Sequence, residues 1–201
     1  MASKLPNNVY DIPALHEVRK DNAVLPDQSS IQIDRILFCT GYHYSFPFLS
    51  ESIGLSVANQ RVWPLYKHVV HMKYDTLFFI GVPRIYVPFP QMNGEVQFAL
   101  SKLNSKWSLP SKEKMDFDVN SDLKIRSDIG WSLRHTHVMR QFQWDYNRQL
   151  SKIGGFDPIP RNVQLLYDYN MARRDVILCD FRRLNYKLTA DGFQVNEISK
   201  K

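Results

Sequence analysis

Asp34-Arg35-Ile36-Leu37-Phe38-Cys39-Thr40-Gly41-Tyr42 opens with an acid, runs through a continuous apolar block and stops at Thr-Gly-Tyr. An apolar run without alternation suits a strand covered on both faces, as in a parallel sheet lying between helices. Gly41 ends the run where a side chain would block a close approach, and ligands of such sheets gather at that end. The stretch predicts a buried strand of an α/β fold ending at a nucleotide site, with a plain core strand as the favoured competing reading.

Working outward, His43-Tyr44-Ser45-Phe46-Pro47-Phe48-Leu49 reads as an aromatic loop in which Pro47 blocks a helix, better suited to plugging the core than to covering a planar ligand. Asp75-Thr76-Leu77-Phe78-Phe79-Ile80-Gly81-Val82-Pro83 is a second apolar run ending in glycine, and two such runs predict a sheet. From Pro90 onward Val96, Ala99, Leu100 and Leu103 recur at helical spacing. The helix they predict starts just beyond a strand end, so its N–H groups and positive dipole end face an electron-rich ligand or it merely packs on the sheet. Leu109 to Met115 predicts a turn into a short helix capped by Ser111.

Val138, Phe142, Tyr146 and Leu150 repeat every fourth residue, and Val163, Leu166 and Tyr167 predict another amphipathic helix after Pro158-Ile159-Pro160. The tail, with Val176-Ile177-Leu178-Cys179 and Tyr186-Lys187-Leu188, fits a strand or a short helix. Upstream of Asp34, Val9-Tyr10 and Ala23-Val24-Leu25 are short β-like pieces resembling the last hairpin of a preceding domain.

With 201 residues, 44% of them hydrophobic and 23% charged, the chain has the balance of a globular protein with one sizeable core. It contains no apolar run long enough for a membrane span and no secretory h-region near its start, which makes an intracellular chain the simplest expectation. Cys39 and Cys179 both sit in apolar contexts and read as reduced core thiols. The net charge of +6 favours anionic partners, but the basic residues are spread out and interleaved with acids, which argues against nucleic acid. His68 and His71, and His135 with His137, have no Cys or carboxylate completing a familiar metal-ligand spacing. No Gly-x-Ser-x-Gly elbow is present for a hydrolase. None of the eight glycines forms Gly-x-Gly-x-x-Gly or a P-loop, so the chain carries no pyrophosphate fingerprint.

The order of motifs resembles the C-terminal half of the flavin-containing monooxygenases. Phe38-Cys39-Thr40-Gly41-Tyr42 is similar to that family's Phe-Ala-Thr-Gly-Tyr segment. Phe46-Pro47-Phe48-Leu49, Leu65-Tyr66-Lys67-His68, Leu77 to Pro83, Pro88-Phe89-Pro90 and Leu109 to Met115 follow in the family's order, across residues 5–190, with likeness to soluble insect and plant-like members. The resemblance implies the C-terminal part of a flavoprotein with two dinucleotide-binding, Rossmann-like domains and a helical C-terminal segment. Residues 1–33 would be the tail of the NADP-binding domain and 34–201 the C-terminal part of the FAD-binding domain.

It further implies FAD and NADPH as cofactors and transfer of an oxygen from O₂ to a soft nitrogen or sulfur nucleophile. The hard chemistry belongs to the flavin, and no catalytic residue is singled out. The cofactor-binding positions are Thr40, Gly41 and Tyr42 together with Pro90, Asn93 and Glu95. The last two come from an ungapped match of the helix start, which keeps the Leu-Pro-Ser spacing, whereas a shift of two residues would select Glu95 and Gln97. Because the family's Gly-rich fingerprints lie upstream of Thr-Gly-Tyr, the isolated chain is expected to be inactive. The alternative is a truncated, non-catalytic isoform that acts as a protein-interaction module, as a homo-oligomer or paired with a full-length relative. A cytoplasmic location is expected, with peripheral association with the endoplasmic reticulum as a variant. A disulfide reductase relative lacks support, since no Cys-x-x-Cys or Cys-x-x-x-x-Cys pair occurs.

Overall fold

A computed structural model describes residues 5–12, 14–176 and 184–197. The described residues form two compact units, one within 5–42, 169–176, 184–186 and 195–197 and the other within 43–168 and 187–194.

In the first unit, β1 (Glu17–Arg19), β2 (Asn22–Val24) and β3 (Ser30–Gln32) form an antiparallel meander, with Val18 opposite Ala23 and Ala23 opposite Ile31. Asp27 shapes the second turn by accepting the backbone N–H and the hydroxyl of Ser29 on one carboxylate oxygen. Of the expected β-like pieces, Ala23-Val24 is a buried strand and Val9-Tyr10 is not a strand.

The expected core strand at 34–41 does not form. Residues 35–42 carry no strand ladder, and Leu37 and Phe38 are 86% and 79% exposed. A strand hidden on both faces needs a neighbour on each edge, and among the described residues no segment supplies a ladder here. Cys39, expected in the core, is exposed with it, and Cys179 lies outside the described residues.

The second unit begins with hairpins. β4 (Ser56–Ala58) pairs β5 (Arg61–Trp63) across Asn59-Gln60, whose φ values of 50° and 60° match the hand of a two-residue hairpin turn. β6 (Leu65–Tyr66) pairs β7 (Val70–His71) across a turn in which Lys67 and His68 are also left-handed. The second predicted strand is reduced to an antiparallel bridge between Phe78 and Val70, flanked by hydrogen bonds from His71 N–H to Leu77 O and from Phe79 N–H to Val69 O. Phe79 points inward and Ile80 outward, the alternation of a one-sided ribbon and not of a strand buried on both faces.

Among the described residues four α-helices follow: α1 (Pro88–Leu103), α2 (Lys112–Asp128), α3 (Gln143–Gly154) and α4 (Arg161–Val176). The fold is thus α/β in content, as expected, with antiparallel hairpins in place of a parallel sheet among the described residues. α1 starts where expected but buries a different face. Gln91, Gly94, Glu95, Phe98 and Ser101 go inward, whereas Val96, Leu100 and Leu103 from the predicted stripe are exposed and only Ala99 is buried. α2 has Ser111 at its N-cap position and runs far beyond the short helix expected. Its support is mainly polar: Lys112–Asp116, Arg126–Asp122 and Lys124–Asp128 are ion pairs one turn apart, and only Met115 and Arg126 are buried.

The predicted stripe is borne out in part: Tyr146 and Leu150 on α3 are buried around Val69, Val70, Phe98, Met115 and Met139, whereas Val138 lies ahead of the helix, buried in a parallel bridge to Arg84, and Phe142 is half-buried in the short turn before α3. α4 covers the predicted Val163-Leu166-Tyr167 stretch and ends at Val176, while Ile177-Leu178-Cys179 lies outside the described residues. Tyr186-Lys187-Leu188 lies in a strand, β8 (Leu184–Leu188), paired with β9 (Phe193–Glu197).

Candidate functional site

The loop that ends at Gly81 and the helix that starts at Pro88 are joined by one buried acid. Glu95, on the inner face of α1, accepts the Gly81 N–H on Oε2 at 2.7 Å and the Gln91 amide on Oε1 at 3.1 Å. Gly81 sits at φ +81°, a conformation that glycine adopts without penalty, and a Cβ there would meet Met92 Cε at 3.1 Å. Burial outweighs these hydrogen bonds and lifts the Glu95 carboxyl to about 6. Gln143 on α3 fixes the next corner by accepting the Val87 N–H at 2.9 Å. The strand end, the loop and the helix start are thereby held by side chains that reach in from two helices.

The first turn of α1 has few donors. Pro88 and Pro90 have no N–H, and the Gln91 N–H is spent on Val87 O, which leaves the N–H of Phe89 beneath a ring that is 83% exposed. Pro90 is half-buried and Asn93 is exposed on the same helix, while Glu95 is turned wholly into the protein. Thr40, Gly41 and Tyr42 lie exposed in the other compact unit, with Gly41 at φ +82° and open space where a Cβ would stand. Of the expected binding positions, the chain therefore brings Pro90, Asn93 and Glu95 together on one helix.

A second feature went unseen in the sequence. His68 and His137, one member of each histidine pair, meet with their Nδ1 atoms 2.9 Å apart, and His137 Nε2 accepts the Val62 N–H at 2.9 Å. Burial holds His68 down to about 3 and His137 well below the usual imidazole range, with Arg126 and Arg61 adding repulsion on both rings. The other two histidines are engaged elsewhere, His71 Nδ1 by the N–H groups of Lys73 and Tyr74 and His135 Nδ1 by Ser132 Oγ. Among the described residues no three His, Cys, Asp or Glu side chains cluster in a way that could hold a metal. Only the spacing of the pairs was legible in the sequence; the cross-pairing depends on tertiary contact.

The sequence pattern described as flavin-binding monooxygenase-like matches residues 4–193, and the chain belongs to that family. Flavin-containing monooxygenase FMO GS-OX-like 4 of Arabidopsis thaliana is 33% identical over 147 residues, 72% of this chain and 32% of that protein. Its relative FMO GS-OX-like 7 from the same plant is 36% identical over 156 residues, 74% of this chain and 33% of that protein. Among solved structures, S-allyl-L-cysteine S-oxygenase from Allium sativum superposes with a TM-score of 0.71 at 31% identity over 85% of this chain and 38% of that one. Tmm from Pelagibacter sp. strain HTCC7211 shares the fold, with a TM-score of 0.78 at 22% identity over 98% of this chain and 44% of that one. The chain thus spans about a third of the curated relatives named here and less than half of the two solved structures. No described helix is long and apolar enough to cross a membrane.

Proposed function

We propose that this chain supplies one wall of the flavin site in a two-nucleotide-domain monooxygenase that uses FAD and NADPH to oxygenate soft nitrogen or sulfur nucleophiles. On this reading residues 1–33 end the NADP-binding domain and 34–201 form the C-terminal part of the FAD-binding domain. The observation that carries it is the Glu95-braced turn from Gly81 into α1, set within the residues 4–193 that the family pattern matches.

The donor set suits the ring end of a flavin and not its diphosphate. A flat apolar ring with carbonyl edges can lie against Phe89 and Pro90, with one N–H and the positive end of the helix dipole nearby. A diphosphate would need several backbone N–H groups in a Gly-rich loop, which the sequence lacks. Bound FAD, reduced by NADPH, supplies the oxygen chemistry, and the chain's residues position and shield it. Glu95 acts as a positioning residue that holds the Gly81 turn, and Thr40-Gly41-Tyr42 form the crossing back into the FAD domain, where Gly41 lets backbone approach the nucleotide. A cytoplasmic site of action goes with this reading.

The test is direct. The purified chain mixed with FAD, NADPH and a thioether should show little or no oxygenation and little flavin retention. Robust turnover by this polypeptide alone would sink the proposal that it is one wall of a larger site.

The exposed row Phe89, Val96, Leu100 and Leu103 on α1 favours a second reading, a module that pairs with a longer relative or with its own copy. Size exclusion and crosslinking with such a relative separate the two, and a stable monomer that ignores it removes the module reading.

A further inference from the structure

The backbone assigns the protons of the His68–His137 pair. Because the Val62 N–H can only donate, His137 Nε2 must present a lone pair, and the neutral ring carries its proton on Nδ1. That proton points along the 2.9 Å contact to His68 Nδ1, so His68 accepts there and carries its own proton on Nε2. Neither ring can gain a further proton without breaking one of these two hydrogen bonds. His68 Nε2–H is therefore a permanent neutral donor. It has no acceptor among the described residues, it is not sealed from solvent, and its ring borders a cavity of about 180 Å³.

Among the described residues the charges around that cavity are paired with one exception. Lys67 bonds Asp118 at 2.5 Å and Gln149 at 2.7 Å. Arg126 bonds Asp122 at 2.7 Å and the carbonyls of His135 and Val138. Asp145 faces Arg148 at 3.6 Å and accepts from Gln149. Arg61 stacks 4.5 Å from the Trp63 ring and has no carboxylate partner among the described residues. Val62, Leu65, Leu123 and Phe142 give the wall its apolar part, and the hydroxyls of Ser121, Thr136 and Tyr146 that also border it are spent on the backbone carbonyls of Phe117, Leu133 and Lys67.

We infer that this cavity binds a small organic carboxylate with an apolar body, its oxygens taken by the Arg61 guanidinium and His68 Nε2–H and its body laid on Val62, Leu123 and Phe142. An uncompensated guanidinium beside a fixed N–H donor calls for an anion, and the apolar wall selects a carboxylate carrying hydrocarbon over inorganic phosphate. The site is independent of the flavin reading and stands or falls without it.

The test titrates the full chain with benzoate, followed by calorimetry and by the imidazole ¹⁵N resonances. Benzoate should shift the His68 Nε2 signal, and neutral benzamide and inorganic phosphate should each bind at least about tenfold more weakly. Arg61→Gln should weaken benzoate by about tenfold or more, and Arg61→Lys, which keeps the charge and loses the fork, should fall between. No benzoate binding, equal binding of benzamide, tighter binding of phosphate, or unchanged affinity in a folded Arg61→Gln protein each overturns the assignment.

Discussion

The Glu95 carboxylate lies beneath the Gly81 turn, accepting its N–H at 2.7 Å, so a buried acid on a helix governs the backbone of a loop fourteen residues earlier. Its carboxyl is raised to about 6 from an ordinary 4.5, so the folded state binds the proton more tightly than the unfolded chain. Stability from this group is present below about pH 4.5 and is lost as pH rises to about 6. Glu95→Gln removes the titration. Relative to the parent, the variant should gain about 1–2 kcal/mol between pH 4 and 7, read from urea midpoints. Parallel pH profiles for the two proteins would count against the buried-acid assignment.

The histidine pair titrates with the opposite sign. Burial depresses His68 to about 3 and His137 in the same direction, so their contribution is full above the ordinary imidazole value of 6.5 and is lost as pH falls toward 3. Between pH 7 and 4 the chain should lose about 3 kcal/mol from His68 alone, with His137 adding to the loss in the same direction. A His68→Gln/His137→Gln protein should show a flatter profile over the same range. Acid unfolding unchanged in the double variant would place the sensitivity elsewhere.

Gly154 is a helical glycine at which alanine should harm the protein. In α3 the exchange gains up to about 1 kcal/mol of helix propensity. A Cβ would, however, stand 2.5 Å from the Phe156 ring and 2.8 Å from Ser101 Oγ on α1. Overpacking of that kind costs about 1–3 kcal/mol, so Gly154→Ala should lower the urea midpoint. A higher midpoint would mean that the α1–α3 contact yields easily.

Lys67 joins three elements. Its ammonium bonds Asp118 on α2 and Gln149 on α3, and its carbonyl accepts the Tyr146 hydroxyl at 2.9 Å. The side chain is only 11% exposed, so Lys67→Met should leave Asp118 uncompensated and destabilise the chain by about 1–3 kcal/mol. Lys67→Met with Asp118→Leu should recover part of that loss, and a double variant no better than the single one would remove the pair from the account.

In an intact relative, leucine at the position of Gly41 should reduce the FAD content of the purified protein. The φ of +82° is strained for any other side chain, and the bulk would stand where the nucleotide is proposed to approach. Absorbance at the flavin bands gives the ratio, and an unchanged ratio takes Gly41 out of the proposed site.

What the sequence made legible follows from which signals are local. The α3 stripe and the α1 start were readable because periodicity and proline act within one element. The face α1 buries was not, because Gln91 and Glu95 look solvent-facing by composition and go inward only through partners brought from Gly81 and Asn147. α2 was underestimated because Asp-Lys and Asp-Arg pairs, not an apolar stripe, sustain it. The motif order carried the family. The histidine relay escaped because Val62, His68 and His137 are distant in the chain and adjacent only in space.

Between Arg35 and Gly41 no described segment pairs the backbone in a ladder. Ile36, Leu37 and Phe38 present consecutive apolar side chains on a backbone without ladder hydrogen bonds, which is the form of an adhesive edge. Any extended peptide of matching pattern could zip onto it, and another copy of the same segment matches by definition. Solubility at high concentration therefore depends on how quickly that edge finds a lawful neighbour, and a single lysine at Leu37 would serve as its gatekeeper.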